Sequence, residues 1–280
     1  MTTGTDASRR DFLVGSVAGL IAAAKPAASQ QTTRASAGDF GKVKALVFDT
    51  FGTVVDWRGS VSAQVADFAK RKALHIEADK FADAWRSKYQ PYMDKVRKAT
   101  LPWTKLDGLH RLMLDDVIDE FGLKGKVSDA ELADLNRVWH RLKPWPDSVS
   151  GLTRLKKKFI IAPLSNGNIS LMTELAKYAG LPWDCILGAE LVRHCKTDHE
   201  VYESAAYFLD LRRDEVMMVA AHLGDLTAAK TVGLRTAFVV RPVEFGASGK
   251  SPARKADLEP NASVDLPVKD FNELATKLGA

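Results

Sequence analysis

The chain has 280 residues, enough for one large domain or for a domain that carries an insert. Its 46% hydrophobic and 27% charged residues are typical of a globular enzyme and indicate neither a disordered chain nor a membrane protein. The formal net charge of +5 is weak and scattered, so it does not indicate a nucleic-acid partner.

The N-terminal segment has the three parts of a bacterial export signal. Arg9 and Arg10 form a twin-arginine pattern, residues 12–24 are apolar, and the small residues 35–37 offer a cleavage site. The apolar part is too short to span a bilayer, so we expect no stable membrane anchor. We predict residues 1–37 as a signal peptide for the twin-arginine translocation machinery, with a periplasmic or secreted destination. The exact cleavage point and a short amphipathic helix are left open.

The first strand of the core delivers a carboxylate to its end. Residues 45–48 are uniformly apolar and predict a buried parallel strand, which is followed by Asp49 and a turn through Gly52. A carboxylate there, with backbone amides that can face a developing anion, is a candidate nucleophile. An aspartate that only caps the turn is the alternative.

A helical insert follows this strand. Residues 58–144 carry hydrophobic side chains at helical spacing, and Ser128 with Glu131 predicts a capping box. We therefore predict a core formed by residues 38–57 and 145–280, interrupted by a helical cap.

In the second part of the core, the sequence predicts four further strands and one long loop. The apolar runs that predict strands are residues 159–164, 185–189, 216–220 and 236–240. Residues 241–260 are rich in Gly, Ser, Lys and Pro and predict a surface loop. Cys185 and Cys195 are predicted as buried thiols, with a disulfide as the alternative.

These segments, in this order, resemble the motifs of the haloacid dehalogenase superfamily. The first motif is the apolar strand followed by Asp-x-x-Gly-Thr at residues 49–53. Phosphatases of the superfamily carry a second aspartate where this chain has Phe51, so the chain is similar to the metal-free L-2-haloacid dehalogenases (type II). The resemblance implies an α/β fold: a Rossmann-like parallel sheet with a helical cap inserted after the first strand, covering the catalytic edge.

The resemblance also implies catalytic roles. Asp49 would be the nucleophile, and Thr53 with the following amides would steady it. Lys196 would keep Asp49 ionised, because a nearby positive charge lowers the pKa of a carboxylate. Asp225, together with Lys196, would orient or deprotonate water. For each position an ordinary structural or solvated side chain is the alternative.

Further residues are implied as substrate contacts: Phe51, Arg86, Ser165, Asn166, Tyr202 and His222. Arg86 would hold the halide or the substrate carboxylate through charge-assisted hydrogen bonds. Ser165 and Asn166 would bind the substrate carboxylate. His222 stands where characterised dehalogenases often carry Asn, and with Arg86 it could form a tight, positive halide cradle.

The implied reaction is hydrolysis of short (S)-2-haloacids to (R)-2-hydroxy acids through an ester on Asp49. Phe51 and Ala221 replace two magnesium ligands of metal-dependent relatives, so we expect neither metal nor cofactor. A phosphatase-like hydrolase and a non-catalytic exported binding protein on the same fold are the alternatives. Water and a small 2-haloacid are the expected partners, and a homodimer is left open.

Overall fold

A parallel sheet lies at the centre of the chain, which this computed structural model describes over residues 40–246 and 259–280. The predicted signal at residues 1–37, and residues 247–258 of the predicted loop, lie outside the described residues. The strands are β1 (Ala45–Phe48), β2 (Val55–Asp56), β3 (Lys143–Pro144), β4 (Ile160–Ser165), β5 (Leu187–Gly188), β6 (Val216–Ala220), β7 (Arg235–Val239) and β8 (Leu266–Val268).

Strand β1 is central in the six-stranded order β5-β4-β1-β6-β7-β8. It pairs in parallel with β4 on one side and with β6 on the other. Leu46 and Phe48 pack into one hydrophobic cluster, whereas Ala45 and Val47 pack into a second cluster on the opposite face. Because helices cover both faces, the strand is apolar at every position rather than alternating. The predicted α/β fold with a parallel sheet is confirmed.

Ten α-helices surround the sheet or form the insert in the described part of the chain. They are α1 (Trp57–Arg71), α2 (Ala78–Ser87), α3 (Tyr89–Arg97), α4 (Leu106–Glu120), α5 (Asp129–Asn136), α6 (Ser148–Leu155), α7 (Ile169–Ala179), α8 (His199–Phe208), α9 (Leu223–Thr231) and α10 (Phe271–Lys277). Short 3-10 helices occupy Arg137–His140, Ala189–Leu191 and Arg213–Glu215. None of the helices described is both long and apolar enough to cross a membrane.

Helices α1 to α5 form the insert. The predicted capping box opens α5: the Glu131 amide donates to Ser128 Oγ at 3.3 Å, and the Ser128 amide donates to Glu131 Oε2 at 2.8 Å. The chain leaves the core along β2 and returns along β3, and these two strands pair antiparallel. This two-residue ribbon therefore places both ends of the insert side by side.

The first residues of the predicted surface loop are not all at the surface. Residues 242–245 form a turn in which Glu244 is only 3% exposed. Strands β2, β3 and β8 were not predicted either, because runs of two or three residues are too short to show a period. Cys185 and Cys195 are free thiols as predicted, although only Cys195 is fully buried.

A buried ion pair fixes this turn to the core. Arg241 Nη1 and Nη2 donate to the two carboxylate oxygens of Asp147 at 2.7 and 2.9 Å. Arg241 Nε also donates to the Thr53 carbonyl at 2.9 Å, and the Phe271 amide donates to Asp147 at 2.8 Å. Burial opposes ionisation of Asp147, but Arg241 outweighs it, so the pKa of Asp147 lies below its usual value. The pair thus ties β7, α6 and the turn after Asp49 together.

We expect Arg241→Met to lower the free energy of unfolding by about 3–5 kcal/mol, because it leaves the buried Asp147 carboxylate without a counter-charge. Chemical denaturation followed by circular dichroism measures this loss. The matched control is Lys80→Met, which breaks an ion pair with Glu77 in which both side chains are 70% exposed. Equal losses for the two variants would contradict a structural role for the buried pair.

Candidate active site

Asp49 lies directly after β1, at the edge where β4 and β6 also end. Its carboxylate is 13% exposed and is surrounded by three donors. Lys196 Nζ lies 3.1 Å from Oδ1, whereas Thr53 Oγ1 and His222 Nδ1 lie 2.7 and 3.0 Å from Oδ2. Parallel topology alone explains this meeting, because carboxyl ends of parallel strands open on one edge.

Asp49 is held in its charged form. Burial by itself would raise its pKa, but the positive charge of Lys196 and the hydrogen bonds from His222 and Thr53 outweigh that effect. The pKa of Asp49 therefore lies well below its usual range. The Thr53 hydroxyl is oriented as a donor to Asp49. The Ala221 amide donates to the Thr53 oxygen at 3.0 Å, so the hydroxyl proton is free to point at Asp49.

Lys196 bridges two carboxylates. Its Nζ lies 2.5 Å from Asp225 Oδ2 and also donates to the Leu164 carbonyl at 2.9 Å. Burial would lower the pKa of Lys196, but Asp225 and Asp49 together raise it. Burial and the charge of Asp49 raise the pKa of Asp225 against the pull of Lys196. A carboxylate with a raised pKa beside the nucleophile is suited to accept a proton from water.

Tyr202, predicted as a substrate contact, is fully buried, and its hydroxyl donates to Asp225 Oδ1 at 2.5 Å. Tyr202 therefore lies in the interior, in contact with the side chain of Asp225. This contact fixes one oxygen of Asp225 while Lys196 holds the other.

His222 lies between two carboxylates. Its Nδ1 faces Asp49, and its Nε2 lies 3.1 Å from both oxygens of Glu244. Burial lowers the pKa of His222, but Glu244 and Asp49 outweigh it and raise the pKa well above 6.5. Both ring nitrogens face carboxylates, and the halide cradle of His222 with Arg86 stays a prediction.

Glu244 is the residue of this site that the sequence did not reveal. It lies in a loop with no recognisable motif, and its carboxylate also accepts a hydrogen bond from Trp57 Nε1 at 3.0 Å. The space for its carboxylate comes from a distant glycine. A Cβ atom at Gly52, which has φ of +89°, would lie 2.1 Å from Glu244 Oε1. Glycine at this position thus leaves the space that the carboxylate fills.

Arg86 lies on α2 of the cap, beside Trp57 and Tyr89, whose polar atoms bond to Glu244 and Asn166. Its guanidinium lies 4.2 Å from the ring centroid of Tyr89 and 5.6 Å from that of Trp57. Among residues 40–246 and 259–280 no carboxylate pairs with it, so the charge is available to an anion.

Asn166 joins the cap to the core. Its Nδ2 donates to the Tyr89 hydroxyl at 2.7 Å, and its Oδ1 accepts from the Lys196 amide at 2.8 Å. Ser165 is buried and accepts a hydrogen bond from the Gly167 amide at 3.1 Å. Substrate binding by Ser165 and Asn166 stays a prediction, since their side chains are engaged within the protein.

Phe51 forms an apolar wall next to the nucleophile. Its ring meets Trp139 and His110 edge-on, with centroids 6.0 and 6.4 Å apart. Burial lowers the pKa of His110 to about 3, so this histidine is neutral and belongs to the aromatic wall. A phenyl side chain at position 51 has neither a proton to donate nor an oxygen with which to ligate a metal ion.

Comparison with known proteins identifies the family of this chain. The sequence matches the haloacid dehalogenase-like hydrolase family over residues 43–233. It is 29% identical to an (S)-2-haloacid dehalogenase of Xanthobacter autotrophicus over 203 residues, covering 71% of this chain and 76% of that protein.

Two solved structures are more similar in sequence. The defluorinating L-2-haloacid dehalogenase Rha0230 is 48% identical with a TM-score of 0.81, over 85% of this chain and 96% of that one. The L-2-haloacid dehalogenase PA0810 is 42% identical with a TM-score of 0.78, over 84% and 99%. The chain therefore belongs to the haloacid dehalogenase-like hydrolases.

Proposed function

We propose that the protein hydrolyses short (S)-2-haloacids to (R)-2-hydroxy acids and releases halide. The observation that carries this proposal is the placement of the Asp49 carboxylate against Lys196 and beside Asp225, with Phe51 in place of a second carboxylate. Relatives at 42% and 48% identity are named L-2-haloacid dehalogenases, which supports the same reaction class. Overall, haloacid and water give hydroxy acid, halide and a proton.

The first step is displacement at carbon. A carboxylate oxygen of Asp49 attacks the carbon that bears the halogen from the side opposite the halogen, and the carbon–halogen bond breaks with its electron pair leaving on the halide. This forms an ester and inverts the carbon. Arg86, which the aromatic rings of Trp57 and Tyr89 hold in place, supplies a positive charge to the leaving halide or to the substrate carboxylate.

The second step is hydrolysis of the ester. Water attacks the carboxyl carbon of Asp49 while Asp225 accepts one of its protons. The bond between that carbon and the ester oxygen then breaks, the ester oxygen takes the proton from Asp225, and the hydroxy acid leaves. The regenerated Asp49 releases the remaining proton and returns to its charged state. Tyr202 and Lys196 hold Asp225 in position for this transfer.

We expect Asp49→Asn to abolish halide release from 2-chloropropionate while the fold is retained, because an amide has the same shape but does not attack carbon. Ion chromatography of chloride and circular dichroism measure the two properties. In a single turnover of the wild-type protein in 18O-labelled water, the label should enter Asp49 and be absent from the product. Label found only in the product would show direct attack by water and contradict the covalent step.

We expect halide release to continue at its full rate after treatment with a chelator. The electrophile is a neutral carbon, and Phe51 and Ala221 occupy positions that carry ligands in metal-dependent relatives. The measurement is chloride release after dialysis against EDTA, with a magnesium-dependent phosphatase treated in parallel as the control. Activity that disappears with EDTA and returns with magnesium would contradict this assignment.

We also propose that the protein is exported in folded form by the twin-arginine route. The support is the order of paired arginines, apolar stretch and small residues within residues 1–37. Exchange of Arg9 and Arg10 for lysine keeps the charge but removes the pattern. In a bacterium that has this route, we expect the exchange to move the enzyme from the periplasmic to the cytoplasmic fraction. The wild-type gene in a strain without the route is the control, and unchanged export of the variant would contradict the proposal.

A further inference from the structure

The two oxygens of Asp49 are not equivalent. Oδ2 accepts hydrogen bonds from both Thr53 and His222, whereas Oδ1 accepts one from Lys196. Hydrogen bonds withdraw electron density from an acceptor and occupy its lone pairs, so the less occupied Oδ1 is the better nucleophile. The geometry therefore leaves Oδ2 as the carbonyl oxygen of the ester.

We propose that Thr53 and His222 form the oxyanion site for ester hydrolysis, and that Glu244 is the positioning residue that holds His222 in place with a proton on each ring nitrogen. This inference rests on the proposed haloacid hydrolysis and adds a role for a residue pair in its second step. His222 would contact the reacting oxygen directly, whereas Glu244 acts through His222.

The protonation state follows from the partners of His222. A carboxylate only accepts hydrogen bonds, and His222 has one carboxylate at each ring nitrogen. Both nitrogens must therefore donate, which makes the ring an imidazolium. Glu244 and Asp49 are the charged groups that face His222, with Lys196 behind Asp49 and Asp56 near Glu244.

Several contacts hold the Glu244 side chain next to His222. Its carboxylate is buried, faces Nε2 of His222 with both oxygens, and accepts a hydrogen bond from Trp57. The missing side chain at Gly52 provides its space, and the ion pair of Arg241 with Asp147 anchors the turn that carries it. An acidic side chain that served only solubility would lie in solvent.

The two steps place different demands on His222. During displacement the negative charge leaves Asp49, so a cation at Oδ2 stabilises the starting state and does not accelerate attack. During hydrolysis, water adds to the carboxyl carbon and the carbonyl electron pair moves to Oδ2. There the His222 Nδ1–H and the Thr53 hydroxyl stabilise the new charge until the ester bond breaks.

The test is Glu244→Gln, which keeps the shape and removes the charge, with 2-chloropropionate in rapid-quench experiments. We expect a burst of chloride close to one per active site, at a rate within about threefold of wild type, and then a steady state slowed by roughly 100-fold. Intact-mass measurement should show the alkylated enzyme accumulating. The matched control is Glu215→Gln. Glu215 is also buried and ion-paired, but it precedes β6, whereas His222 follows it. Both the burst and the steady state should be unchanged in this variant.

A second comparison separates positioning from general structural damage. With His222→Asn as background, adding Glu244→Gln should slow hydrolysis by less than about twofold, because Glu244 then has no imidazolium to hold. The alkaline limb of the hydrolysis rate should also shift to lower pH in Glu244→Gln. The active ring is protonated, and loss of the neighbouring negative charge lowers its pKa.

The outcomes are distinct. A burst with slowed hydrolysis and a shifted alkaline limb supports the inference. Equal slowing of burst and steady state, or a full effect of Glu244→Gln in the His222→Asn background, overturns it while the proposed function stands. If Glu244→Gln does not fold, the result is taken from His222→Asn alone, where an unslowed hydrolysis step overturns the inference. Absence of chloride release by the wild-type protein would overturn the proposed function itself.

Discussion

The arrangement of the site depends on one constraint: the Asp49 carboxylate must stay charged although it is largely buried at the edge of the sheet. Five side chains of alternating sign meet there in a continuous row: Glu244, His222, Asp49, Lys196 and Asp225. Each buried charge has a partner of opposite sign within 3.1 Å, so no member carries the full cost of leaving water. Asp225 has Lys196 as its only partner in the row, and Glu244 has His222, so loss of either cation would leave a buried carboxylate without a counter-charge.

The sheet fixes the distances between most of the charged side chains in this row. Asp49 follows β1, Lys196 lies in the segment after β5, and His222 with Asp225 follows β6, so the row spans three strands of one parallel sheet. Strand spacing, which backbone hydrogen bonds set, therefore limits how far the charges can drift apart. Glu244 lies in a turn, and the ion pair of Arg241 with Asp147 fixes that turn to the core.

The sequence was informative where a local pattern decides the structure. Strand β6 was predicted over its whole length because it is an unbroken apolar run, and the residues around Asp49 were predicted because they follow such runs directly. Glu244 was missed because its burial depends on a gap at Gly52, far away in the chain, and on a tryptophan of the cap. No window of sequence contains that information. The hydrogen bond from the Tyr202 hydroxyl to Asp225 likewise depends on tertiary packing, and the substrate contact of Tyr202 stays a prediction.

The β2–β3 ribbon has an evolutionary consequence. Its two residue pairs bring the outgoing and the returning chain of the cap together, so both covalent connections between the cap and the core lie side by side. The charged row belongs to the core, and Trp57, the first residue of α1, contacts it by donating a hydrogen bond to Glu244. Helices between Asp56 and Lys143 can therefore lengthen, shorten or be exchanged without disturbing the register of the sheet. Substrate choice can diverge between descendants of such a protein while the hydrolytic chemistry is inherited unchanged.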